Sequence, residues 1–309
     1  MKIILPGGAG LVGQNLIIQL KHNGYKDITV IDKHQSNVDI LKGLHPDINI
    51  ITADLGENGK WNEAFKGAEV VIMLQAQIGS NQSDLFYQNN IESTHNVLNS
   101  MKSYSVPYLV HISSSVVETM SEDDYTKTKK IQEEIVLKSG IDSVILRPSL
   151  MFGSFDRKHL GWLARFMKKT PVFPIPGNGK FMRQPLFVND FCNIIISCIN
   201  KKIVDKTYNI TGLQKIDYID IILNIKSTIN SKTVLIKIPY KLFYCLLWLW
   251  ALFDNNPPFT TKQLASLVKN DEFEIIDWQN IFKVSSTPFI DAIEETFIDS
   301  KYSKITLDF

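Results

Sequence analysis

Cysteine is scarce in this chain, and the few cysteines form no recognisable pattern. Only Cys192, Cys198 and Cys245 occur among 309 residues. An odd number without Cys-x-x-Cys or metal-ligand spacing argues against a disulfide framework and against a structural zinc site. We therefore predict no metal site and a reducing, cytoplasmic location.

The chain also lacks an excess of charge of either sign. It has 33 Lys+Arg against 32 Asp+Glu, a net charge of +1. A nucleic-acid-binding domain carries a basic footprint that this balance does not provide, so we predict no nucleic-acid partner. Hydrophobic residues make up 44% and charged residues 21%. This composition excludes disorder, collagen and coiled coil, and it suffices for a large core.

No apolar run is long enough to cross a membrane. The longest uncharged run, Leu242 to Phe253, has twelve residues, so a helix there covers about 18 Å of a hydrocarbon core of about 30 Å. One interpretation is a helix buried in the core. The other is an interfacial helix at a membrane surface or a partner, for which two tryptophans and a tyrosine are typical. The N-terminal run, Ile3 to Leu5, is too short for a signal peptide.

The first half of the chain alternates short β-branched runs with segments of helical length. Most runs, such as Val70 to Leu74, are continuously apolar, which is typical of parallel strands buried on both faces. This alternation predicts an α/β fold, a doubly wound parallel sheet. Pro and Gly cluster from Pro171 to Gly179. We predict a cofactor domain at 1–150 and a substrate region at 151–309, partly interleaved with the sheet.

A glycine loop follows the first predicted strand and opens a helix. Gly8, Gly10 and Gly13 satisfy G-x-G-x-x-G, and Gly7 precedes them. Glycine there allows a tight turn and a close approach of the backbone to a pyrophosphate, which the helix N-terminus then attracts. Asp32 ends the second strand, 19 residues after Gly13, where a carboxylate accepts from ribose hydroxyls and repels a 2′-phosphate. We predict NAD as the cofactor, with NADP as the alternative.

Ser114, Tyr125 and Lys129 form the candidate catalytic set. Ser114 follows a predicted strand, at the sheet edge where doubly wound folds bind ligands. Tyr125 and Lys129 stand at i and i+4 and share a helix face. An ammonium beside a phenol lowers the pKa of the phenol, and such a tyrosine serves as general acid or base at an alcohol oxygen.

With these motifs the chain resembles the extended short-chain dehydrogenase/reductases, also called the NAD-dependent epimerase/dehydratase family. Further matching stretches are Asp54-Leu55, residues 90–96 (NIESTHN), residues 147–153 (RPSLMFG) and residues 177–190, from Gly177 through Arg183 to Asp190. The resemblance implies cofactor contacts from a set along the first six strands: Gly7, Gly10, Leu11, Val12, Gly13, Asp32, Asp54, Leu55, Leu74, Ala76, Asn90, Tyr125, Lys129 and Pro148. It also implies that Ser114 and Arg183 bind substrate, with Arg183 at the diphosphate of a nucleotide-sugar.

The sequence departs from the family pattern at several points. Pro6, Gln75 and Ser93 replace the usual residues, and Gln184-Pro185 follow the arginine. Tyr125 comes only eleven residues after Ser114, about half the spacing that is usual in sugar-nucleotide epimerases. These departures resemble atypical members of the family, some of which are not catalytic.

Three functions follow from the resemblance. The first is reduction of a dTDP-4-keto-6-deoxyhexose with Tyr125 as proton donor, in surface-polysaccharide synthesis; the short chain favours it. The second is a 4-epimerase of a nucleotide- or lipid-linked sugar, with residues 242–253 lying on the membrane. The third is a non-catalytic NAD(P)-binding structural or assembly protein. A homodimer and peripheral attachment to the membrane stay open.

Overall fold

Thirteen strands are present in the computed structural model, which describes residues 1–254, 259–270, 272–299 and 301–308. In chain order they are β1 (Lys2–Pro6), β2 (Asp27–Asp32), β3 (Asn49–Thr52), β4 (Val70–Met73), β5 (Tyr108–Ile112), β6 (Asp142–Pro148), β7 (Met151–Phe152), β8 (Val172–Pro176), β9 (Met182–Arg183), β10 (Leu186–Phe187), β11 (Lys206–Ile210), β12 (Ile216–Asp217) and β13 (Val234–Ile238).

Helices connect and cover these strands. They are α1 (Leu11–His22), α2 (Gln35–Leu44), α3 (Ser83–Phe86), α4 (Ser93–Ser103), α5 (Asp124–Leu137), α6 (Leu160–Lys169), α7 (Val188–Lys201), α8 (Tyr218–Thr228), α9 (Tyr240–Ala251), α10 (Thr261–Leu267), α11 (Trp278–Phe282) and α12 (Phe289–Glu294). Short 3-10 turns span Lys60–Phe65 and Ser115–Glu118, and π-helical turns span Tyr87–Glu92 and Glu295–Asp299.

Seven parallel strands form the central sheet in the order β11-β6-β5-β4-β1-β2-β3. The order reverses beside β1, so the strand ends at β1 and β4 open the crevice where such folds bind ligands. The doubly wound α/β fold predicted from the continuous apolar runs is confirmed.

Alternate side chains of each strand enter different cores because the sheet is covered on both faces. Ile3 and Leu5 pack with α1, α2 and α7, whereas Ile4 packs with α4 and α5 on the opposite face. This two-sided burial explains why the strands read as unbroken apolar runs rather than alternating ones.

The second half of the chain contributes to the same sheet. β11 pairs in parallel with β6 along its whole length, and α7 packs against α1. The rest of this half forms three two-stranded sheets, β7 with β10, β9 with β12 and β8 with β13, and a separate core from α6, α8 and α12. A boundary at residue 150 therefore separates sequence segments that share one sheet.

Helix α9 carries the apolar run from Leu242 onward, and most of it is exposed. Only Phe243 and Leu247 are buried, against Leu264 of α10 and its neighbours. The interpretation of this run as a buried core helix is therefore wrong. Within the ranges described, no helix combines the length and the apolar character needed to span a bilayer.

Candidate functional site

The glycine loop lies between the end of β1 and the start of α1. Gly7 has a φ of +75°, and a Cβ there would lie 2.4 Å from the backbone nitrogen of Gln75. A Cβ on Gly13 would lie 2.1 Å from the Gly8 carbonyl oxygen. Both positions need glycine for the packing of the chain itself.

Gly10 differs from its neighbours, because no atom of the described residues crowds it. A Cβ there would meet only the Gly7 carbonyl oxygen, at 3.6 Å, which is an ordinary contact. Gly10 is the N-cap of α1, no side chain caps this helix, and its first turn holds no acidic residue. The first N–H groups of α1 and the positive end of its dipole are thus available to an anion.

Asp32 ties the end of β2 to the glycine loop. One carboxylate oxygen accepts from the Ala9 N–H at 3.0 Å and the other from the His34 N–H at 2.9 Å. Burial raises the pKa of Asp32, and the hydrogen bonds from the backbone oppose this rise. Next to it, Lys33 Nζ donates to Asp54 at 2.9 Å, so the second predicted acid is held in an ion pair.

These residues fit a dinucleotide. An open glycine at an uncapped helix N-terminus suits a pyrophosphate, and a carboxylate ending the next strand suits a ribose. Gln75, at the end of β4 beside Gly7, is buried, and neither of its amide atoms has a hydrogen-bond partner within the described residues. Its polar atoms are available to a ligand on this edge. Gly10 and Asp32 were predicted from the sequence to contact the cofactor, whereas Gln75 was not.

Ser114 and Tyr125 meet at the carboxyl end of β5. Ser114 caps the turn Ser115–Glu118, and its Oγ accepts from the Val116 N–H at 3.4 Å. The neighbouring Ser114 hydroxyl lowers the pKa of the Tyr125 phenol, but burial raises it more. The phenol therefore stays protonated at neutral pH. The expectation that Lys129 lowers this pKa is therefore not met.

Lys129 is buried below the tyrosine, with 1% of its surface exposed. Its Nζ donates to the Ile112 carbonyl at 2.9 Å and to Gln132 Oε1 at 2.5 Å. Burial lowers the pKa of Lys129 to about 7, with Glu133 opposing. The ammonium is thus directed to the end of β5 and to its own helix, which is the physical reason that the phenol gains nothing from it.

Two further contacts fix α5 against the sheet. Arg147 at the end of β6 donates from Nε and Nη2 to Glu133, at 2.9 and 2.6 Å. Asn90, fully buried, accepts from the Gln77 N–H at 2.7 Å and donates to Thr128 at 2.9 Å. Such paired bonds hold Tyr125 and Lys129 in place. The predicted role of Asn90 at the cofactor stays a prediction.

Arg183 on β9 is buried, and its side chain hydrogen-bonds backbone carbonyls of its own chain. Its guanidinium donates to the carbonyl oxygens of Met182 and Lys269, each at 2.7 Å, and to that of Leu267. Gln184 exchanges two hydrogen bonds with the backbone of Phe273. These hydrogen bonds hold Leu267, Lys269 and Phe273 against β9 and the residue that follows it. The contact of Arg183 with a substrate diphosphate stays a prediction.

The remaining predicted residues follow strand ends along the same edge. Leu11 and Val12 start α1, Leu55 follows β3, Leu74 and Ala76 follow β4, and Pro148 ends β6. The sequence reasoning missed Gln132, which shares the buried ammonium of Lys129. Its i+3 spacing from Lys129 was the available signal. It also missed His111 of β5, fully buried with neither ring nitrogen bonded within the described residues, whose pKa burial lowers.

Comparisons with known proteins agree with this geometry. The model of the NAD dependent epimerase/dehydratase family matches residues 3–211. The chain is 24% identical over 276 residues to 3beta-hydroxysteroid-dehydrogenase/decarboxylase isoform 2 of Arabidopsis thaliana, covering 76% of this chain and 49% of that protein. It thus spans about half the length of that relative.

Two other likenesses cover nearly the whole chain. It is 24% identical to the N-acetyl-alpha-D-glucosaminyl-diphospho-ditrans,octacis-undecaprenol 4-epimerase of Escherichia coli O157:H7, over 93% of this chain and 90% of that protein. The crystal structure of a UDP-glucuronic acid 4-epimerase from Bacillus cereus, in complex with NAD, superposes with a TM-score of 0.76 at 20% identity, over 96% and 97% of the two chains. The latter likeness shows the fold.

Proposed function

Because the chain belongs to the NAD-dependent epimerase/dehydratase family, we propose that it reduces the keto group of a dTDP-4-keto-6-deoxyhexose, with Tyr125 as the proton donor. The family and its NAD cofactor are as predicted. The finer assignment is supported by one observation: Tyr125 lies near Ser114, which follows β5 at the edge of the sheet, and its phenol is protonated. A protonated phenol is the form needed for reduction of a ketone.

The proposed step balances in atoms and electrons. Bound NADH supplies the hydride to the keto carbon. Tyr125 gives its proton to the oxygen as the carbon is reduced, and the hydroxyl of Ser114 orients that oxygen. The phenolate regains a proton from solvent. Lys129, whose Nζ donates to the Ile112 carbonyl and to Gln132 Oε1, fastens α5 to the end of β5 and so keeps Tyr125 in position for this step.

In an epimerase the same residues would first carry out the reverse reaction, an oxidation. Its first half-reaction oxidises a carbinol, so Tyr125 has to accept a proton before it donates one. A phenol that is already protonated can donate in the first step of a reduction without a prior loss of its proton. The short connection from Ser114 to Tyr125, a single 3-10 turn and a few exposed residues, also offers little chain to enclose a keto intermediate while it turns.

A lipid-linked sugar 4-epimerase is the second candidate. The Escherichia coli relative, named for a sugar on an undecaprenol diphosphate, covers the chain almost completely. The exposed apolar helix α9 suits a substrate carried by a lipid. We also propose that the substrate side lies within 151–309, next to the strand ends.

An assay of cofactor consumption separates the candidates. The protein is incubated with NADH and a dTDP-4-keto-6-deoxyhexose, and in parallel with NAD and the undecaprenol-linked sugar. Loss of one NADH per sugar reduced is the expected result. Interconversion of the lipid-linked sugar without net loss of cofactor supports the epimerase. No turnover of any nucleotide- or lipid-linked sugar contradicts both and favours the non-catalytic, structural role.

A further inference from the structure

Helix α9 is apolar around nearly its whole circumference, with Lys241 as its one charged residue, yet the described part of the chain covers only one stripe of it. Phe243 and Leu247, one turn apart, are buried. Trp248 is 52% exposed and Phe253 is 89% exposed. The other large apolar residues with 38–60% of their surface exposed are Tyr240, Leu242, Tyr244, Leu246, Leu249, Trp250 and Leu252.

A helix that is apolar on all sides is stable only when something buries it. Helix α10 contacts one side of α9, and within the described residues no other element covers the remaining surface. The strand that leads into the helix, β13, extends the apolar surface with Val234 and Ile236, which are 57% and 44% exposed. A continuous apolar surface of this kind marks an interaction site.

The charged residues in the sequence from β13 through α10 are nearly all positive. Residues 232–270 contain five lysines and one carboxylate, although the whole chain has a net charge of only +1. All five are exposed: Lys232, Lys237, Lys241, Lys262 and Lys269. The one carboxylate, Asp254, accepts from the Trp250 ring N–H at 3.1 Å.

This charge pattern decides between two occupants. In a symmetric dimer the same patch lies on both copies, so five lysines of each copy would face five of the other. An anionic lipid surface instead attracts the lysines while its acyl boundary takes up the apolar side chains. Tryptophan and tyrosine are enriched at that boundary.

We propose that α9 and the exposed edge of β13 form a docking surface for an anionic membrane. The helix is twelve residues long, too short to cross the hydrocarbon core, so it lies in the plane of the interface. The lysines contact lipid phosphates, and Trp248, Trp250 and Leu249 enter the boundary below them. The inference rests on this surface alone and holds whichever sugar is the substrate.

Co-sedimentation with vesicles tests the proposal. The full chain is spun with vesicles of phosphatidylglycerol and phosphatidylcholine in equal parts, with phosphatidylcholine alone, and without lipid. We expect sedimentation with the anionic vesicles, weaker binding to the neutral ones, and loss of the difference at high salt. Binding should also move the tryptophan emission to shorter wavelength as Trp248 and Trp250 leave water.

Matched charge variants show whether α9 makes the contact. The double variant Trp248→Glu/Leu249→Glu should lower partitioning into anionic vesicles about tenfold or more. The control places the same two charges at exposed apolar positions elsewhere, Leu137→Glu on α5 and Ile290→Glu on α12, and should bind like the parent chain. Circular dichroism checks that both variants are folded.

Three results would overturn the proposal. In the first, the protein stays in the supernatant with anionic vesicles. In the second, the Trp248→Glu/Leu249→Glu variant binds vesicles as well as the parent. In the third, gel filtration shows that the parent is a dimer and that only this variant is a monomer. NADH consumption with the water-soluble sugar, measured without lipid, reports on the proposed function separately.

Discussion

Tyr125 is the residue on which the proposed chemistry depends. We expect Tyr125→Phe to lower kcat about a hundredfold to ten-thousandfold, because the proton donor is lost while the ring keeps its packing. The NADH assay with the keto sugar measures this. Tyr244→Phe, which removes a hydroxyl from the exposed helix α9, is the control and should keep full activity. A Tyr125→Phe variant with the parent rate would exclude the proposed donor.

Lys129 should make the stability of the protein depend on pH. Its pKa is lowered by burial to about 7, so between that value and its ordinary pKa the unfolded chain binds more protons than the folded one. The destabilisation is complete below about pH 7 and disappears as the pH rises. The free energy of unfolding should therefore increase by about 1–2 kcal/mol from about pH 7 to about pH 9.

Urea unfolding of variants isolates this contribution. Lys129→Met should lose the increase with pH, because the variant has no buried amine to protonate. Lys138→Met, at the C-cap of the same helix but exposed and paired with Glu134, should follow the parent chain. Equal pH dependence in Lys129→Met and the parent would show that the amine is not responsible.

At the scale of single elements, the glycine loop before α1 contains a glycine that packing requires, Gly13, and a glycine that we expect cofactor binding to require, Gly10. Gly13→Ala places a Cβ 2.1 Å from the Gly8 carbonyl oxygen, and we expect it to lower the free energy of unfolding by about 1–3 kcal/mol. Gly10→Ala meets no atom closer than 3.6 Å and has a φ of −79°, so its stability should change by less than about 0.5 kcal/mol.

For NAD affinity we expect Gly10→Ala to have a large effect, although its effect on stability is small. Gly10→Ala should weaken NAD binding about tenfold or more, because the methyl group occupies the place where the backbone approaches the pyrophosphate. Titration calorimetry with NAD and thermal unfolding of both variants measure the two effects. A Gly10→Ala variant that binds NAD as tightly as the parent would place the pyrophosphate elsewhere.

At the scale of the whole molecule, one core joins the two halves of the chain. Trp278 of α11 is fully buried among residues of β1, β2 and α7, and its ring N–H donates to the Thr211 carbonyl at 2.9 Å. We expect Trp278→Phe to cost about 1–3 kcal/mol, because the Thr211 carbonyl loses its partner. The midpoints of unfolding followed by near- and far-ultraviolet circular dichroism should decrease together in this variant. Trp248→Phe, at an exposed site, should change neither midpoint.

A stepwise transition in which the far-ultraviolet signal of the sheet keeps the midpoint of the parent would contradict a shared core. In that case residues beyond 150 would unfold as a unit of their own, and the predicted boundary would be a thermodynamic one. The pairing of β11 with β6 argues for the single transition.

Local patterns predicted most of the fold, and they gave the candidate catalytic set, whose role stays a prediction. The parallel strands are recognisable as unbroken apolar runs because both of their faces are buried. Tyr125 and Lys129 share a helix face because they are four residues apart. Contacts between distant segments carried no such signal. Two of the three carbonyls that hold Arg183 come from residues more than eighty positions away. Helix α9 has the same sequence whether it is buried or exposed, so only the structure could show its exposure.

Transfer of labelled hydride tests the central claim most directly. The protein is given a dTDP-4-keto-6-deoxyhexose and NADH deuterated at both positions of the nicotinamide C4, and the sugar is analysed by mass spectrometry and NMR. We predict one deuterium at the former keto carbon for each NADH consumed, and its loss in Tyr125→Phe. A sugar that is converted without deuterium and without consumption of NADH would contradict the account.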